Sequence, residues 1–381
     1  MSEVTQKTAI GLGILLAFAC SVANAGEPVL RVAGPLTTLY KAADSRCDRN
    51  FIPDAPARAF RRKDGSVVLI APHYDNWILH GSSLLTVKAD CHGVLLKTAY
   101  RQTVPGNLWI EATFTDDGQH IFALASQDLT DENERNGCKP KAPGGCWSNN
   151  IVFLESSNGG ESFNVKSILP FATANMNAVS DSKRSGYFTT SNISSVVGES
   201  YFMLYTEGLT NQSPGNCLFR SKAPTNPASW FGWDGHAFTV QLGTSNVSAR
   251  ACKPIMKNYG PARSLIYIAK YHTWATVFAA RLADKSGESR SRPGFYAAFS
   301  SDLLKWSDPV LLLQEPLVAR VDSTAYIASY PSLIDPESAS RNFDSIDEAE
   351  PVLFFTVKHL LNGNGTMNRD LVYVPLKLLK Q

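Results

Sequence analysis

Charged side chains lie close to the starts of predicted strands, where they could bind a ligand. Asp54 precedes an Ala-Pro pair and the first predicted strand, so it is either a turn residue or a ligand contact. Arg58 lies between the apolar Ala57 and Ala59, and strand alternation puts its side chain on the opposite face from theirs. A buried arginine needs a partner. We expect this partner to be an acid such as Asp54, or an anionic ligand.

Further candidates follow the next predicted strand or lie on later ones. His73 and Asp75 belong to a polar and aromatic cluster after a buried strand, which either lines a binding site or forms a solvated loop. Glu111 lies on a strand of the next repeat, either as a surface residue or facing the site. Asn192 and Tyr330 are polar positions on two later strands, and we expect them to contact the same ligand.

The sequence does not support metal or nucleotide chemistry. The seven histidines are dispersed, the sequence has no C-x-x-C motif, and no histidine lies at ligand spacing from a pair of cysteines. We therefore predict no metal site and no cofactor. A structural calcium ion is not predicted either. A glycine-rich phosphate loop and a G-x-S-x-G motif are also absent from the sequence.

The composition is that of a folded globular chain of 381 residues, 44% of them hydrophobic and 18% charged. These values exclude a disordered, collagen-like or coiled-coil protein. The formal net charge is only +2, which is too small for a nucleic acid or an anionic membrane to be the main partner. A near-neutral chain favours an uncharged ligand over a polyanion.

Residues 1–25 have the features of a cleaved export signal. The apolar run from Ile10 to Val22 is too short to span a bilayer comfortably, and the small residues Ala23-Asn24-Ala25 follow it. A lipoprotein signal ending at Cys20 is the alternative. We predict a periplasmic or secreted monomer without membrane contact after cleavage. Residues 26–381 should form a single domain, because no linker is evident.

Cysteine usage agrees with export. The chain has seven cysteines, and the six that remain without Cys20 allow 15 pairings. Neighbours in sequence are plausible partners, because one such pair brackets a short loop rich in Pro and Gly. We therefore predict three disulfides, formed in an oxidising compartment. The six cysteines are Cys47, Cys91, Cys138, Cys146, Cys217 and Cys252.

Short strands separated by turns dominate the rest of the chain. Five segments are rich in β-branched or aromatic residues and too short for helices. Each follows an earlier strand and a turn, and two of these turns contain the hairpin dipeptides Asp64-Gly65 and Asp117-Gly118. This unit returns about every 50 to 80 residues. The five buried segments are Val67–Ile70, Ile121–Leu124, Tyr201–Tyr205, Leu265–Ile268 and Val352–Phe355.

The repeats predict an all-β fold, a five-bladed β-propeller of four-stranded antiparallel blades. A β-sandwich with many hairpins is the alternative, but it does not require the same unit to return at blade spacing. A propeller ring closes when a strand from one terminus completes the last blade. Pro28–Val32 and Leu371–Leu376 both have strand patterns, and either could do this.

Two turn motifs resemble those of known propeller families. The segment SSNGGESF, from Ser156 to Phe163, resembles the Asp-box of sialidase-type propellers, with Asn158 in place of the aspartate. The segment SSDLLKWSDP, from Ser300 to Pro309, is similar to a turn of five-bladed furanosidase-type glycoside hydrolases, the arabinanase, β-xylosidase and invertase group. Side chains in such turns bond the local backbone, so neither motif is a predicted site. A six-bladed sialidase-like propeller is the alternative architecture.

The resemblance implies a glycoside hydrolase that acts on an oligo- or polysaccharide at the central funnel of the propeller. One carboxylate then activates water or attacks, and another protonates the leaving oxygen. Asp54 matches the position of the base or nucleophile, and Glu111 that of a second acid. The inner strand of the predicted third blade carries no acid, so the proton donor would be Asp335 or Asp75.

Two other functions stay open. Because the third-blade acid is missing, the propeller could instead bind a glycan or a protein partner without catalysis. A sialidase-like exo-hydrolase would need an arginine cluster and a tyrosine nucleophile, for which Arg58, Arg250 and Tyr330 are the candidates. Whichever function holds, the near-neutral charge favours a neutral glycan.

Overall fold

The computed structural model describes residues 28–45, 47–73, 75–95, 104, 106–130, 139, 141, 145–167, 183–209, 211–241, 251–283, 291–318, 325–347 and 350–380. The predicted export signal, Cys138 and Arg250 lie outside these residues. The described part of the chain is almost entirely β-structure, and none of its helices has the length and apolar character needed to cross a membrane.

The described residues contain 24 strands, a single short α-helix and a few 3-10 helices. The helical segments are α1 (Ala42–Ser45) and the 3-10 helices Leu84–Thr86, Pro227–Ser229 and Ala269–Tyr271. The strands are β1 (Pro28–Val32), β2 (Thr37–Tyr40), β3 (Arg58–Arg61), β4 (Val67–Ile70), β5 (Trp77–Gly81), β6 (Lys88–Gly93), β7 (Asn107–Phe114), β8 (Ile121–Leu129), β9 (Ser148–Ser156), β10 (Asn164–Val165), β11 (Ser185–Thr190), β12 (Ser194–Val196), β13 (Glu199–Glu207), β14 (Gly215–Ser221), β15 (Phe231–Trp233), β16 (Phe238–Gln241), β17 (Ser264–Ile268), β18 (Thr273–Ala283), β19 (Ser291–Ser300), β20 (Val310–Gln314), β21 (Tyr326–Ile334), β22 (Ser345–Ile346), β23 (Val352–Leu361) and β24 (Asn364–Lys380).

Hydrogen bonding joins the strands into antiparallel groups that follow one another along the chain. The first group is the sheet β3 to β6. A ten-stranded sheet holds the next two, β7 to β10 and β11 to β16, which are joined by a short parallel pairing of β9 with β11. The fourth group is β17 to β20, with β22 parallel to β17. The last is formed by β21, β23 and β24 with β1 and β2.

The first strand of the described chain completes the last group. β1 runs antiparallel to the end of β24, from Pro28 opposite Lys380 to Val32 opposite Leu376. β2 continues along the same edge of β24, with Thr37 opposite Tyr373. Both terminal segments are strands, as predicted, and the N-terminal one takes the outer position.

Apolar side chains of neighbouring groups pack against one another, because the central strands bury both of their faces. All four residues of β4 are buried, which confirms the prediction for this segment. Phe60, Ile110 and Val152 belong to one cluster shared by the first and second groups. Phe153 and Phe202 belong to the next, between the second and third. Burial of each of these phenylalanine side chains contributes about 1.5–3 kcal/mol to the free energy of folding.

Asparagine side chains join neighbouring groups by taking the place of a strand partner. Nδ2 of Asn76 donates to the Leu108 carbonyl at 2.8 Å, and its Oδ1 accepts from the Ile110 N–H at 2.7 Å. Asn216 makes the same pair of bonds to the segment before β17. Each amide thereby pairs its own buried polar atoms together with two main-chain groups.

The predicted turns have the geometry that their residues require. Gly65 and Gly118 both adopt positive φ, at +87° and +73°. A Cβ atom on Gly118 would lie 2.5 Å from the main chain at Arg62, so only glycine fits this turn. In the two family-like motifs, Asn158 accepts from the Ser162 N–H at 3.1 Å and Asp302 from the Lys305 N–H at 2.8 Å. Their role in the local backbone is confirmed.

Two of the predicted disulfides are present in the described residues. Cys47 is bonded to Cys91, which ties the segment before β3 to β6, with Cα atoms 5.4 Å apart. Cys217 on β14 is bonded to Cys252, with Cα atoms 5.9 Å apart. Cys146 is also disulfide-bonded. Its predicted partner, Cys138, lies outside the described residues.

Candidate active site

The centre of the fold is filled by the Arg58 side chain, which is 3% exposed. A guanidinium has five N–H donors, and the hydrogen bonds of Arg58 use all of them. The acceptors are the carbonyl oxygens of Ala57 (2.9 Å), Glu111 (2.5 Å), Thr190 (3.1 Å) and Arg263 (2.7 Å) and the hydroxyl oxygen of Ser332 (3.0 Å).

These acceptors belong to, or directly precede, the first strands β3, β7, β11, β17 and β21 of the five groups. The groups therefore meet around one side chain. Burial lowers the pKa of Arg58 to about 9, and the nearby Glu111 carboxylate partly offsets this. Among the described residues no carboxylate forms an ion pair with Arg58, although the sequence predicted Asp54 as a partner. Four main-chain oxygens and the Ser332 hydroxyl take that place and leave no N–H for a ligand.

Asp54 lies four residues before Arg58, and cations surround its carboxylate. Its Oδ1 accepts from the Tyr330 hydroxyl at 3.1 Å, from Lys358 Nζ at 3.4 Å and from Arg369 Nη1. His73 Nε2 lies 3.8 Å from the other oxygen, Oδ2. The structure therefore brings three of the predicted residues, Asp54, His73 and Tyr330, into one cluster.

Tyr330 is held in an unusual backbone conformation within this cluster. Its φ is +58°, in the left-handed region that is costly for an aromatic residue. Lys358 Nζ lies 4.3 Å and the Arg263 guanidinium 5.1 Å from the centre of its ring. Burial, with the charge of Asp54 as the next cause, raises the pKa of the Tyr330 hydroxyl well above its ordinary value. This hydroxyl is therefore a hydrogen-bond donor to Asp54 at neutral pH.

Glu111 is a buried residue, 7% exposed, and not a surface position. Its Oε2 accepts from the Ser126 hydroxyl at 2.8 Å and from the Thr190 N–H at 3.0 Å. The carboxylate therefore links β7 to β8 and to β11. The Glu111 carboxylate also lies near the Arg58 and Arg263 guanidinium groups, and its negative charge raises the pKa of both.

Asp128 is a site acid that the sequence reasoning missed. It lies near the end of β8 and accepts from Asn149 Nδ2 and, at 3.3 Å, from Arg184 Nη2. Burial raises the pKa of Asp128 to about 6; Arg184 and Asn149 oppose the shift, while the charges of Glu111 and Asp54 add to it. Asp128 is therefore close enough to both predicted acids to sense their charge.

Two further arginines complete the site. Arg184, just before β11, also donates to Asn149 Oδ1 at 2.6 Å and stacks on Trp147 and Phe188. Arg263 lies just before β17, and burial lowers its pKa, with Glu111 offsetting and Arg184 adding to the effect.

The remaining predicted residues lie elsewhere. Both polar atoms of the Asn192 amide bond to the main chain of Leu265, at 2.6 and 2.8 Å. The oxygens of Asp335 accept from the N–H groups of Glu337 and Asp347, both at 3.0 Å. Asp335 follows the end of β21, past the level of Ser332, and so lies on the other side of Arg58 from Tyr330. Asp75, a partly exposed turn residue, lies between β4 and β5.

One group of potential metal ligands occurs among the described residues, away from the site. Asp90, His92 and Glu161 bring one ligand atom each within 4.8 Å of one another. His92 already bonds Asp90 at 2.8 Å, and Arg62 pairs with Glu161 at 2.6 Å. These contacts form an ion-pair network between the first two groups, and an adjacent arginine disfavours a cation there.

Comparison with known proteins places the fold but not the family. No protein-family model and no curated protein matches the sequence. The catalytic domain of the GH62 α-L-arabinofuranosidase of Coprinopsis cinerea is similar in structure, with a TM-score of 0.53, 11% identity, and coverage of 91% of this chain and 97% of that chain. A thermostable family-43 glycoside hydrolase is similar with a TM-score of 0.50, 10% identity, and coverage of 90% of this chain and 96% of that chain.

At such low identity these likenesses show the fold alone. They confirm the predicted fold-level resemblance to the furanosidase-type glycoside hydrolases and the all-β propeller class. The count of five blades stays a prediction. The meeting of five strand groups around Arg58 is the arrangement that such a count requires.

Proposed function

We propose that this chain is a glycoside hydrolase that cleaves an oligo- or polysaccharide at the funnel, with Asp128 as the proton donor. The observation that carries this proposal is the environment of Asp128, whose pKa burial raises to about 6, with the charges of Glu111 and Asp54 adding to the shift. A general acid must keep its proton near the working pH, and glycoside hydrolysis pairs such a group with an ionised carboxylate.

Asp54 is that ionised carboxylate in our proposal. Lys358 and Arg369 stabilise its negative charge, and it is 16% exposed, so a substrate or a water can reach it. Asp128 gives its proton to the leaving oxygen as the C–O bond breaks. Asp54 either takes the proton of the attacking water or attacks the anomeric carbon itself. Glu111 acts through its charge, which helps to keep Asp128 protonated.

A glycan-binding protein without catalysis is the second candidate. One carboxylate oxygen of Asp54 already accepts from three donors, Tyr330, Lys358 and Arg369, which leaves less of this carboxylate free to bind an attacking water. The residues considered for a sialidase have other roles here. Arg58 has no N–H left for a ligand, and burial raises the pKa of Tyr330, which disfavours it as a nucleophile.

Export remains part of the proposal. The disulfides Cys47–Cys91 and Cys217–Cys252 are typical of proteins from oxidising compartments. An extracellular or periplasmic site would also give the enzyme access to polysaccharides.

The test is release of sugar from a panel of polysaccharides and aryl glycosides, including furanosides and sialosides, by the chain 26–381. We expect hydrolysis of at least one substrate, with kcat/KM falling as the pH rises above about 6, because Asp128 then loses its proton. Asp128→Asn should lower kcat by about 100-fold or more. Asp116→Asn, an exposed aspartate in a loop, is the matched control and should keep full activity.

Two results would count against the proposal in different ways. Unchanged activity in Asp128→Asn would mean that another group is the donor. Glycan binding without hydrolysis of any substrate in the panel would favour the second candidate.

A further inference from the structure

The cluster of side chains around Tyr330 holds more positive than negative charge. Lys358 and Arg369 share a single carboxylate, that of Asp54. The Arg263 guanidinium lies 5.1 Å from the centre of the tyrosine ring. In the described part of the chain, the Arg263 guanidinium has no ion pair or side-chain hydrogen bond. Three cations therefore face one carboxylate.

The deeper residues do not remove this excess. Glu111 carries one negative charge near Arg263, but it also lies beside the fully buried Arg58. Counting all six side chains, four cations (Arg58, Arg263, Lys358 and Arg369) face two carboxylates (Asp54 and Glu111). Asp128 adds no negative surplus, because it is uncharged when it holds its proton and lies 3.3 Å from the Arg184 guanidinium when it does not.

Some donors of these cations also lack acceptors. Nε of Arg369 is buried and has no hydrogen-bond partner, although Nη1 of the same side chain bonds Asp54. Buried cations and unpaired buried donors both cost free energy, and an anion that accepts from them removes much of that cost. Guanidinium groups suit planar or tetrahedral oxyanions, to which they can donate two bonds at once.

We propose that Arg263, Lys358 and Arg369 bind a negatively charged group of the glycan, either a carboxylate or a sulfate ester. This inference rests on the proposed function, in that the funnel holds a glycan. The near-neutral net charge of the chain does not reveal such a site, because the total of +2 sums the whole surface. The ligand's charge instead meets a local excess of two positive charges, next to the carboxylate assigned to the reaction.

Isothermal titration calorimetry, which measures the affinity of the wild-type chain for matched pairs of methyl glycosides, tests the inference. The acidic members are a glucuronide, a galacturonide and a galactoside 6-sulfate, and the uncharged members are the glucoside and the galactoside. We expect at least one acidic member to bind about tenfold or more tightly than its uncharged counterpart. Binding should weaken as NaCl is raised, because salt screens the attraction. The uronides and the sulfate separate the two sources of charge.

Variants then locate the site. Arg263→Gln should weaken binding of the acidic glycoside about tenfold and leave the uncharged one unchanged. Arg31→Gln, on the outer strand β1, is the matched control and should change neither. If Arg263→Gln does not fold, Arg263→Lys keeps the charge but loses the planar donors and should give a smaller loss. Equal affinity for the acidic and uncharged members of every pair in the wild type overturns the inference.

The same titrations on Asp128→Asn, together with hydrolysis assays of the wild type on the same glycosides, separate this inference from the proposed function. Selective binding of an acidic glycoside, without hydrolysis by the wild type, supports the anion site and contradicts the proposed donor. Hydrolysis of uncharged glycosides that acidic ones neither inhibit nor replace supports the hydrolase and overturns the anion site.

Discussion

Nη2 of Arg58 donates to the main-chain oxygen of Arg263 at 2.7 Å, although 205 residues separate the two in sequence. The other donors of Arg58 reach three more strand groups and its own. One side chain thus takes the place that a channel would otherwise occupy. A cavity of about 10 Å³ lies beside it, lined by Ala57, Asn192 and Phe343 among others, which is room for about one water molecule.

Replacing Arg58 should therefore destabilise the whole fold. Arg58→Met should lower the free energy of unfolding by about 3–5 kcal/mol, since it leaves several buried carbonyl oxygens without a donor. Chemical denaturation followed by circular dichroism measures this. Arg31→Met, at an exposed position, should cost less than about 0.5 kcal/mol. Similar small losses in both variants would show that Arg58 does not hold the groups together.

Asp128 should make stability depend on pH in a defined direction. Burial raises its pKa from 3.8 to about 6 in the folded chain, so the folded state binds the proton more tightly than the unfolded state. The resulting stabilisation is complete below about pH 3.8 and is lost as the pH rises through about 6. Relative to Asp128→Asn, which cannot ionise, the wild type should lose roughly 2 kcal/mol between pH 4 and pH 7.

Urea denaturation of both proteins at a series of pH values checks this prediction. Asp116→Asn serves as the control, because the exposed Asp116 should show no comparable difference from the wild type. A difference between wild type and Asp128→Asn that stays constant from pH 4 to pH 7 would mean that Asp128 is not protonated in the folded state.

The Cys217–Cys252 disulfide should stabilise the third group. Both cysteines are buried in the same cluster as Phe219 and Trp230, and the bond closes a segment with a sequence separation of 35 residues. Replacing both by serine should cost about 2–4 kcal/mol. Thermal unfolding, measured with and without a reducing agent, tests this. The wild type should lose stability under reduction, and the double variant should lose less.

Asn192 should matter for stability and not for the ligand. Its amide already pairs with the N–H and the carbonyl of Leu265, so Asn192→Ala leaves two main-chain groups unpaired and should cost about 1–3 kcal/mol. KM for any substrate found should stay unchanged. Asn364→Ala, at the exposed start of β24, is the matched control. A raised KM at full stability would return Asn192 to the site, as the sequence first indicated.

Local signals explain which features could be predicted from the sequence. The apolar run of β4 and the Asp-Gly pairs at Gly65 and Gly118 carry their meaning in a few neighbouring residues, so the strand and the turns were predicted correctly. Asp54 could be predicted because it precedes a first strand, and Tyr330 because it is a polar residue on one. Their contact depends on the closure of the fold, which no short segment encodes.

The missed residues depend on register between distant strands. Lys358 and Arg369 reach Asp54 together only because β23 and β24 pair with these two residues opposite each other. Asp128 is one polar residue at the end of a buried strand, and its environment comes from Asn149 and Arg184 of later elements. Asp335 is predicted as a site acid because it follows a first strand. The contact of Arg58 with Ser332, which lies between Tyr330 and Asp335 on this stretch of chain, shows that the two residues lie on opposite sides of the centre.

The pairing of β1 with β24 should be needed for a closed and soluble fold. Leu30 is buried in the cluster that also holds Phe355 and Leu378, and β1 covers the edge of β24 from Leu376 to Lys380. A chain that begins at Ala33 would expose this edge, and an exposed edge strand pairs readily with another molecule. We expect it to unfold at least about 5 °C lower and to form dimers or aggregates on size-exclusion chromatography. A chain that begins at Pro28 keeps β1 and is the control. A monomeric protein of unchanged stability after loss of β1 would show that β2 alone suffices to cover the last group.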